Sequence, residues 1–209
     1  LPKKNLNNIH LLINAIDVSR FKNNRIREGI ENKIRLVNIG SFVKKKNQMF
    51  LVEIANELNS KNIDFEILLL GDGPLLEDVK AYAEKLNLHQ RMIFKGNMEK
   101  VEDYLKESDI YIHSATYEPL GLVILEAMAA GLPSISLDGK GNRDLIEEGK
   151  NGFMIYDQDP MQFVQKILCL AENKSKYAEI SNYGEEYAKQ YDIKEYVNKL
   201  LVLYKESMS

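Results

Sequence analysis

DIYIHSATYEPLGLVILEAMAAGLPSISL, residues 109–137, is the stretch around which the rest of the chain is organised. Two short apolar runs, DIYI at 109–112 and PSISL at 133–137, flank a loop that turns into a helix. Glu118 and Pro119 close the loop and Gly121 sits at a turn. Leu122 to Ala130 is a run of strong helix formers, stopped by Gly131 and followed by Pro133. The first turn of such a helix leaves N–H groups without intrahelical acceptors, here those of Leu120, Gly121, Leu122 and Val123, and the helix dipole adds positive potential there. A phosphate group is the natural guest of that cradle. Glu118 lies just outside the helix and Glu126 one to two turns inside it, so two carboxylates bracket the same end. Carboxylates do not hold phosphate; they suit neutral polar groups such as sugar hydroxyls. A ligand built as sugar, diphosphate and ribose satisfies all three features together.

Outward from this stretch the pattern repeats. Apolar runs occur at IRLVNI (34–39), FEILLL (65–70), RMIF (91–94) and FMI (153–155), besides the two already named. Amphipathic segments separate them near 47–60, 75–87, 99–106, 120–131 and 142–148; in MFLVEIANEL (49–58), Phe50, Ile54 and Leu58 recur every four residues with Leu51 and Ala55 beside them. Strands that are apolar throughout and alternate with helices predict an α/β fold, a doubly wound parallel sheet of Rossmann-like type covered on both faces. Ligands of such sheets bind outside the carboxyl ends of the strands, where the loop before Gly121 falls. After Pro160 the chain is helical to its end, and the last segment carries a stripe of Tyr196, Leu200 and Tyr204 with Val197 and Leu201 adjacent, expected to cover an edge of the same domain.

Composition excludes several classes. The 209 residues carry a net charge of −3 with lysines and glutamates mixed, so no basic field invites nucleic acid. No apolar run approaches the roughly 20 residues of a transmembrane helix. A single cysteine, Cys169 in QKILCLA, rules out an internal disulfide and is expected to be a buried helical thiol in a reducing compartment. His10, His89 and His113 have no metal-ligand spacing, so no metal site is expected, and no Ser–His–Asp or Cys–His arrangement suggests a nucleophile. LLLGDGPLLEDV (68–79) turns sharply at Gly71 and Gly73, with Pro74 expected at the first helical position, but no third glycine completes a dinucleotide fingerprint, so NAD is not inferred. Asn142 is expected to cap a short helix facing the same cleft.

The segment from Asp109 to Met154 resembles the donor-binding region of the family 4, or group 1, retaining glycosyltransferases, whose two-Rossmann-domain architecture is called GT-B. Their signature is a pair of glutamates with seven residues between them, here Glu118 and Glu126. The resemblance implies that Glu118, the candidate catalytic residue, holds hydroxyls of the donor sugar, that Glu126 holds the ribose, and that the amides of Leu120, Gly121, Leu122 and Val123 hold the diphosphate. It also implies donor contacts at Gly40, Ser41 and Lys46 in the loop after the first strand, where the family usually has Gly-Arg and then a lysine. Ser41 stands in the arginine's place, which removes a bidentate phosphate contact. Gly71, in a Gly-Asp-Gly-Pro like the family's, would let the ligand approach the backbone, and MIFKGN (92–97) would receive the nucleobase through main-chain groups. The donor would be a UDP-, GDP- or ADP-sugar, with no other cofactor.

NNIHLLINAIDVSRF (7–21) is similar to the passage that joins the two domains in the family, with Ala15 where glycine is usual. The expected division is therefore an interdomain linker and lead-in segment over 1–32, a nucleotide-sugar-binding domain over 33–190 and a C-terminal helix over 191–209. The acceptor-binding N-terminal domain would be the missing partner. The expected location is the cytoplasm, with a peripheral hold on the inner face of the membrane through that missing domain. Two other readings stay open: a sugar-nucleotide 2-epimerase of similar architecture, and a non-catalytic module that binds nucleotide sugar.

Overall fold

The computed structural model describes residues 10–23 and 28–208. After a short α1 (Val18–Phe21), strands and helices alternate as β1 (Ile34–Ile39), α2 (Gln48–Ser60), β2 (Phe65–Leu70), α3 (Leu76–Lys85), β3 (Met92–Gly96), α4 (Val101–Glu107), β4 (Ile110–His113), α5 (Leu122–Ala129), β5 (Ser134–Leu137) and β6 (Gly152–Ile155). Three helices follow, α6 (Pro160–Glu172), α7 (Lys174–Ala188) and α8 (Ile193–Met208). The six strands form one parallel sheet in the order β3-β2-β1-β4-β5-β6. The winding starts at β1, runs out to β3, then returns to pair β4 with β1. That reversal opens a crevice between the carboxyl ends of β1 and β4.

The apolar runs are continuous because both faces of the sheet are covered. Leu36, Ile67, Leu69, Ile110, Ile112 and Ile135 point to one side and pack with Ile54 and Leu58 of α2 and Phe163 and Ile167 of α6. Val37, Leu68, Leu70, Tyr111 and Met154 point to the other and pack with Leu125 and Met128 of α5 and Leu105 of α4. Each fully buried aliphatic chain contributes about 1.5–3 kcal/mol of transfer free energy, so the sheet's centre is the rigid base from which the site loops project. Phe21 and Ile16 belong to the second cluster, and Ile16 bonds through its N–H to Tyr191 O at 2.9 Å and through its carbonyl to Ile193 N at 2.8 Å. This part of the lead-in segment is packed on the domain; residues 1–9 and 24–27 of the expected linker lie outside the described residues.

Four expectations need correction. Cys169 is exposed: α6 turns Phe163, Val164, Ile167 and Leu170 inward, and Cys169 falls on the opposite face. Pro74 stands ahead of the helix, since Leu75 is the N-cap of α3. Asn142 caps nothing; its buried side chain accepts from Gly139 N at 2.9 Å and donates to Ser136 Oγ and the Leu137 carbonyl at 2.8 and 2.9 Å, stapling the loop after β5. The α8 stripe does not cover an edge of the domain. Tyr196 and Leu200 are half-buried, whereas Val197, Leu201 and Tyr204 are 42%, 52% and 59% exposed. No helix among the described residues is long and apolar enough to cross a membrane.

Candidate functional site

Two loops meet in the crevice, one leaving β1 and one leaving β4. The β1 loop turns through Gly40 and Ser41 into a 3-10 turn at Lys44–Lys46, and α2 begins beyond it. Phe42 anchors this loop: its ring is buried, its N–H donates to Asp72 O at 2.9 Å, and its carbonyl accepts from Leu75 N at 3.0 Å. Gln48, also buried, donates from Nε2 to the Ser41 carbonyl at 3.0 Å. The β4 loop is tied to it by Ser114 Oγ donating to Lys46 O at 2.7 Å and Thr116 N donating to Lys45 O at 2.9 Å. Residues more than 65 positions apart thus form one rigid rim.

At that rim α5 begins. Gly121 is its N-cap with φ 89°, a left-handed conformation that disfavours side chains, and an added Cβ would lie 3.0 Å from Ile124 Cδ1 and 3.4 Å from Glu118 Cγ. No side chain caps the helix. The N–H groups of Leu120, Gly121, Leu122 and Val123 donate no hydrogen bond among the described residues, and the first bonded amide is Ile124 N, to Gly121 O at 2.8 Å. These four amides stand at the positive end of the helix with no hydrogen bond made among the described residues.

Glu118 flanks the cradle. Its main chain is fixed by its N–H bonding to Gly139 O at 2.8 Å, and its side chain, 12% exposed, reaches into the crevice. Carboxylate Oε2 pairs with the Lys46 ammonium and lies 3.4 Å from His113 Nε2. Oε1 has no partner among the described residues. His113 and Lys46 hold the carboxyl at about 2 against the opposing effect of burial. His113 is 1% exposed, and burial pushes its pKa below the ordinary imidazole value, against the opposing pull of Glu118. Its Nδ1 lies 3.0 Å from Tyr111 Oη.

Glu126 has a different environment. It is half-buried on the next turns of α5, and its carboxylate has no hydrogen-bond partner among the described residues. Burial raises its pKa, while the Arg20 guanidinium opposes that shift. Arg20 is itself bonded to Glu102 Oε2 at 2.8 Å and Glu99 O at 3.0 Å. Buried Tyr111 is pushed well above the ordinary phenol value by burial and by the charges of both Glu118 and Glu126.

Gly40, Ser41 and Gly71 line an open cleft of about 350 Å³ together with Asp72, Asn97 and Met98, beside the cradle loops. Ser41 is exposed in it. Gly71 has φ 136°, and a Cβ there would stand 2.2 Å from the Gly40 carbonyl oxygen. The close approach that demands glycine is between the loops after β1 and β2. Lys44 and Lys45 are exposed. Among the described residues no group of three or more His, Cys, Asp or Glu side chains could hold a metal ion. Sequence reasoning missed Phe42, Gln48 and Ser114; Phe42 and Ser114 have partners far along the chain, and Gln48 bonds back to the Ser41 carbonyl. Nor does the sequence show that His113, the last residue of β4, stands 3.4 Å from Glu118.

Comparison with known proteins identifies a family and a fold. A family model described as "Glycosyl transferases group 1" matches residues 20–187. The UDP-Gal:alpha-D-GlcNAc-diphosphoundecaprenol alpha-1,3-galactosyltransferase of Escherichia coli is 27% identical over 207 residues, covering 94% of this chain and 54% of that protein. Among solved structures, Anabaena Alr3699/HepE in complex with UDP-glucose superposes with a TM-score of 0.84 at 21% identity, over 94% of this chain and 57% of that one. The C-terminal domain of a glycosyl transferase group 1 family protein (LpcC) from Francisella tularensis gives 0.73 at 18% identity, over 85% of this chain and 99% of that one. At these identities the structural likeness is one of fold. The chain spans about half the length of the curated relatives it matches.

Proposed function

The chain belongs to the group 1 glycosyl transferases, and we propose that it is the half that binds a nucleotide-diphosphate sugar donor for transfer with retained anomeric configuration. The observation that carries this reading is the row of amides at Leu120–Val123 that donate no hydrogen bond among the described residues, with Glu118 before it and Glu126 after it in the chain. The diphosphate sits on the four amides. Lys46 supplies the cation: its ammonium has three donors, so it can keep Glu118 and still reach a phosphate oxygen. Glu118 offers Oε1 to a sugar hydroxyl, and Glu126, half-buried and without a hydrogen-bond partner, takes the ribose hydroxyls. As the glycosidic bond breaks, charge builds on the departing diphosphate, where the amides, the helix dipole and Lys46 are already oriented to stabilise it.

Gly40, Ser41 and Gly71 bring the adjacent cleft to the nucleotide, with the end of β3 beyond it. The solved relative that carries UDP-glucose supports a nucleotide-sugar ligand, with UDP, GDP and ADP as the bases to compare. The domain proper runs over residues 33–190 between the lead-in segment and the 191–209 helix. A second domain carries the acceptor site, a reading supported by the share of its relatives that this chain covers, so the chain alone binds donor and transfers nothing. We place the intact protein in the cytoplasm, held peripherally at the inner membrane face through that second domain.

Calorimetric titration of this chain with UDP, GDP and ADP, each free and as a sugar conjugate, tests the proposal. One nucleoside diphosphate is expected to bind at or below millimolar concentration, and its sugar conjugate more tightly. No heat from any of them with a folded sample would overturn it.

A further inference from the structure

Both supports of Glu118 meet the same oxygen. The Lys46 ammonium and His113 Nε2 converge on Oε2, leaving Oε1 without a partner among the described residues. Lys46 is a flexible chain on a 3-10 turn, whereas His113 is the last residue of β4, 1% exposed and held by the sheet. His113 Nε2 is buried without a completed hydrogen bond, 3.4 Å from the carboxylate. On the far side of the ring, Tyr111 Oη stands 3.0 Å from Nδ1, its own side chain packed against β1 and α5. A neutral imidazole has one donor and one acceptor. If Tyr111 donates to Nδ1, the ring proton sits on Nε2 and faces the Glu118 carboxylate, which accepts it.

We propose that Tyr111 and His113 are positioning residues, a buried relay in which the tyrosine hydroxyl fixes the tautomer and tilt of the imidazole and its Nε2–H fixes the Glu118 carboxylate with Oε1 free for a ligand hydroxyl. The relay's bearing on donor binding rests on the assignment of Glu118 to the sugar. Residues 111, 113 and 118 belong to one strand and its loop, so the relay is built locally and only Lys46 comes from elsewhere. The groups that act on it are Glu118 and Lys46 around the imidazole and Glu118 and Glu126 around the phenol. Removing the histidine leaves Lys46 as the sole restraint. The carboxylate then swings with the lysine, and affinity for the sugar falls while the diphosphate cradle stays.

Two measurements on the 209-residue chain decide the matter, each after a thermal melt confirms folding. Nitrogen-15 NMR of the imidazoles at pH 7 is expected to show His113 neutral with the proton on Nε2, and to show the tautomer balance shifting in Tyr111→Phe. A proton on Nδ1, an imidazolium, or a spectrum indifferent to Tyr111→Phe would overturn the relay, whether or not any donor binds. Calorimetry then compares His113→Leu with His113→Gln, whose amide can replace the Nε2–H. The leucine variant is expected to lose about tenfold in affinity for the sugar conjugate and much less for the bare diphosphate, and the glutamine variant to recover most of that loss. Equal losses in the two variants, or equal losses for the two ligands, would overturn the positioning role. If the unmodified chain binds no sugar conjugate, the donor assignment fails and the NMR result alone judges the relay.

Discussion

The two ends of the cradle treat their carboxylates in opposite ways. Around Glu118 the fold gathers a cation, a buried imidazole and a fixed backbone, and the carboxyl is held down at about 2. Around Glu126 it gathers apolar helix neighbours and a guanidinium engaged elsewhere, and the carboxyl is pushed up. One acid is restrained before any ligand arrives; the other is left with its hydrogen bonds unmade. A site that places a reacting sugar needs the first kind of acid, and a site that grips a ribose by its hydroxyls can use the second, because ligand binding supplies the missing donors.

The contrast can be broken by removing each acid in turn. Glu126→Ala is expected to weaken bare nucleoside diphosphate by about 10–100-fold, the worth of hydrogen bonds to a charged group, as measured calorimetrically; an unchanged affinity would take Glu126 out of the ribose role. Glu118→Ala should forfeit about tenfold of the sugar increment and also lower stability by about 1–3 kcal/mol, since it strands a half-buried ammonium. Denaturant unfolding reads the second effect, and a variant as stable as its parent would mean that the Lys46 pair contributes nothing. Ser41→Arg sharpens the picture from the cleft side: a guanidinium there is expected to tighten diphosphate binding about 3–10-fold with little change in stability. A loss of affinity would show that the cleft at Ser41 faces something other than phosphate.

Proton linkage separates the same two acids with a smaller effect. Glu118 has a folded value below its ordinary 4.5, so its contribution is full above that value and is lost as pH falls through about 2. Glu126 has a folded value above its ordinary 4.5, so its contribution is present at lower pH and is lost as pH rises through the raised value. Glu118→Gln is therefore expected to flatten the acid limb of the stability curve, and Glu126→Gln to stabilise the neutral plateau. Unfolding free energies at pH 3, 5 and 7 check both signs, and a destabilised plateau in Glu126→Gln would reverse the assignment.

Much of this was legible in the chain because the signals are local. IRLVNI and FEILLL are apolar throughout and bounded by turn residues, and β1 and β2 cover those same residues. Glu118, Gly121 and Glu126 lie within nine residues, so loop, helix start and acids could be seen together. The helix itself starts at Leu122 because Gly121 takes a left-handed φ that ends the helical backbone. What could not be read depends on distance or on facing. Nothing in KKK announces that its third lysine pairs with a glutamate 72 positions on. Phe42 stands in a polar loop and is anchored by main-chain bonds to Asp72 and Leu75 beyond β2, while Gln48 opens α2 and bonds back to the Ser41 carbonyl. QKILCLA is apolar on nearly every side, so the sequence alone could not say that Cys169 falls on the outer face of α6.

An amide-resolved NMR titration with UDP, repeated with GDP and ADP, tests the donor cradle most directly. For at least one of them the largest shifts are expected at the amides of Leu120, Gly121, Leu122 and Val123. A ligand that binds while those four amides stay still would contradict the account.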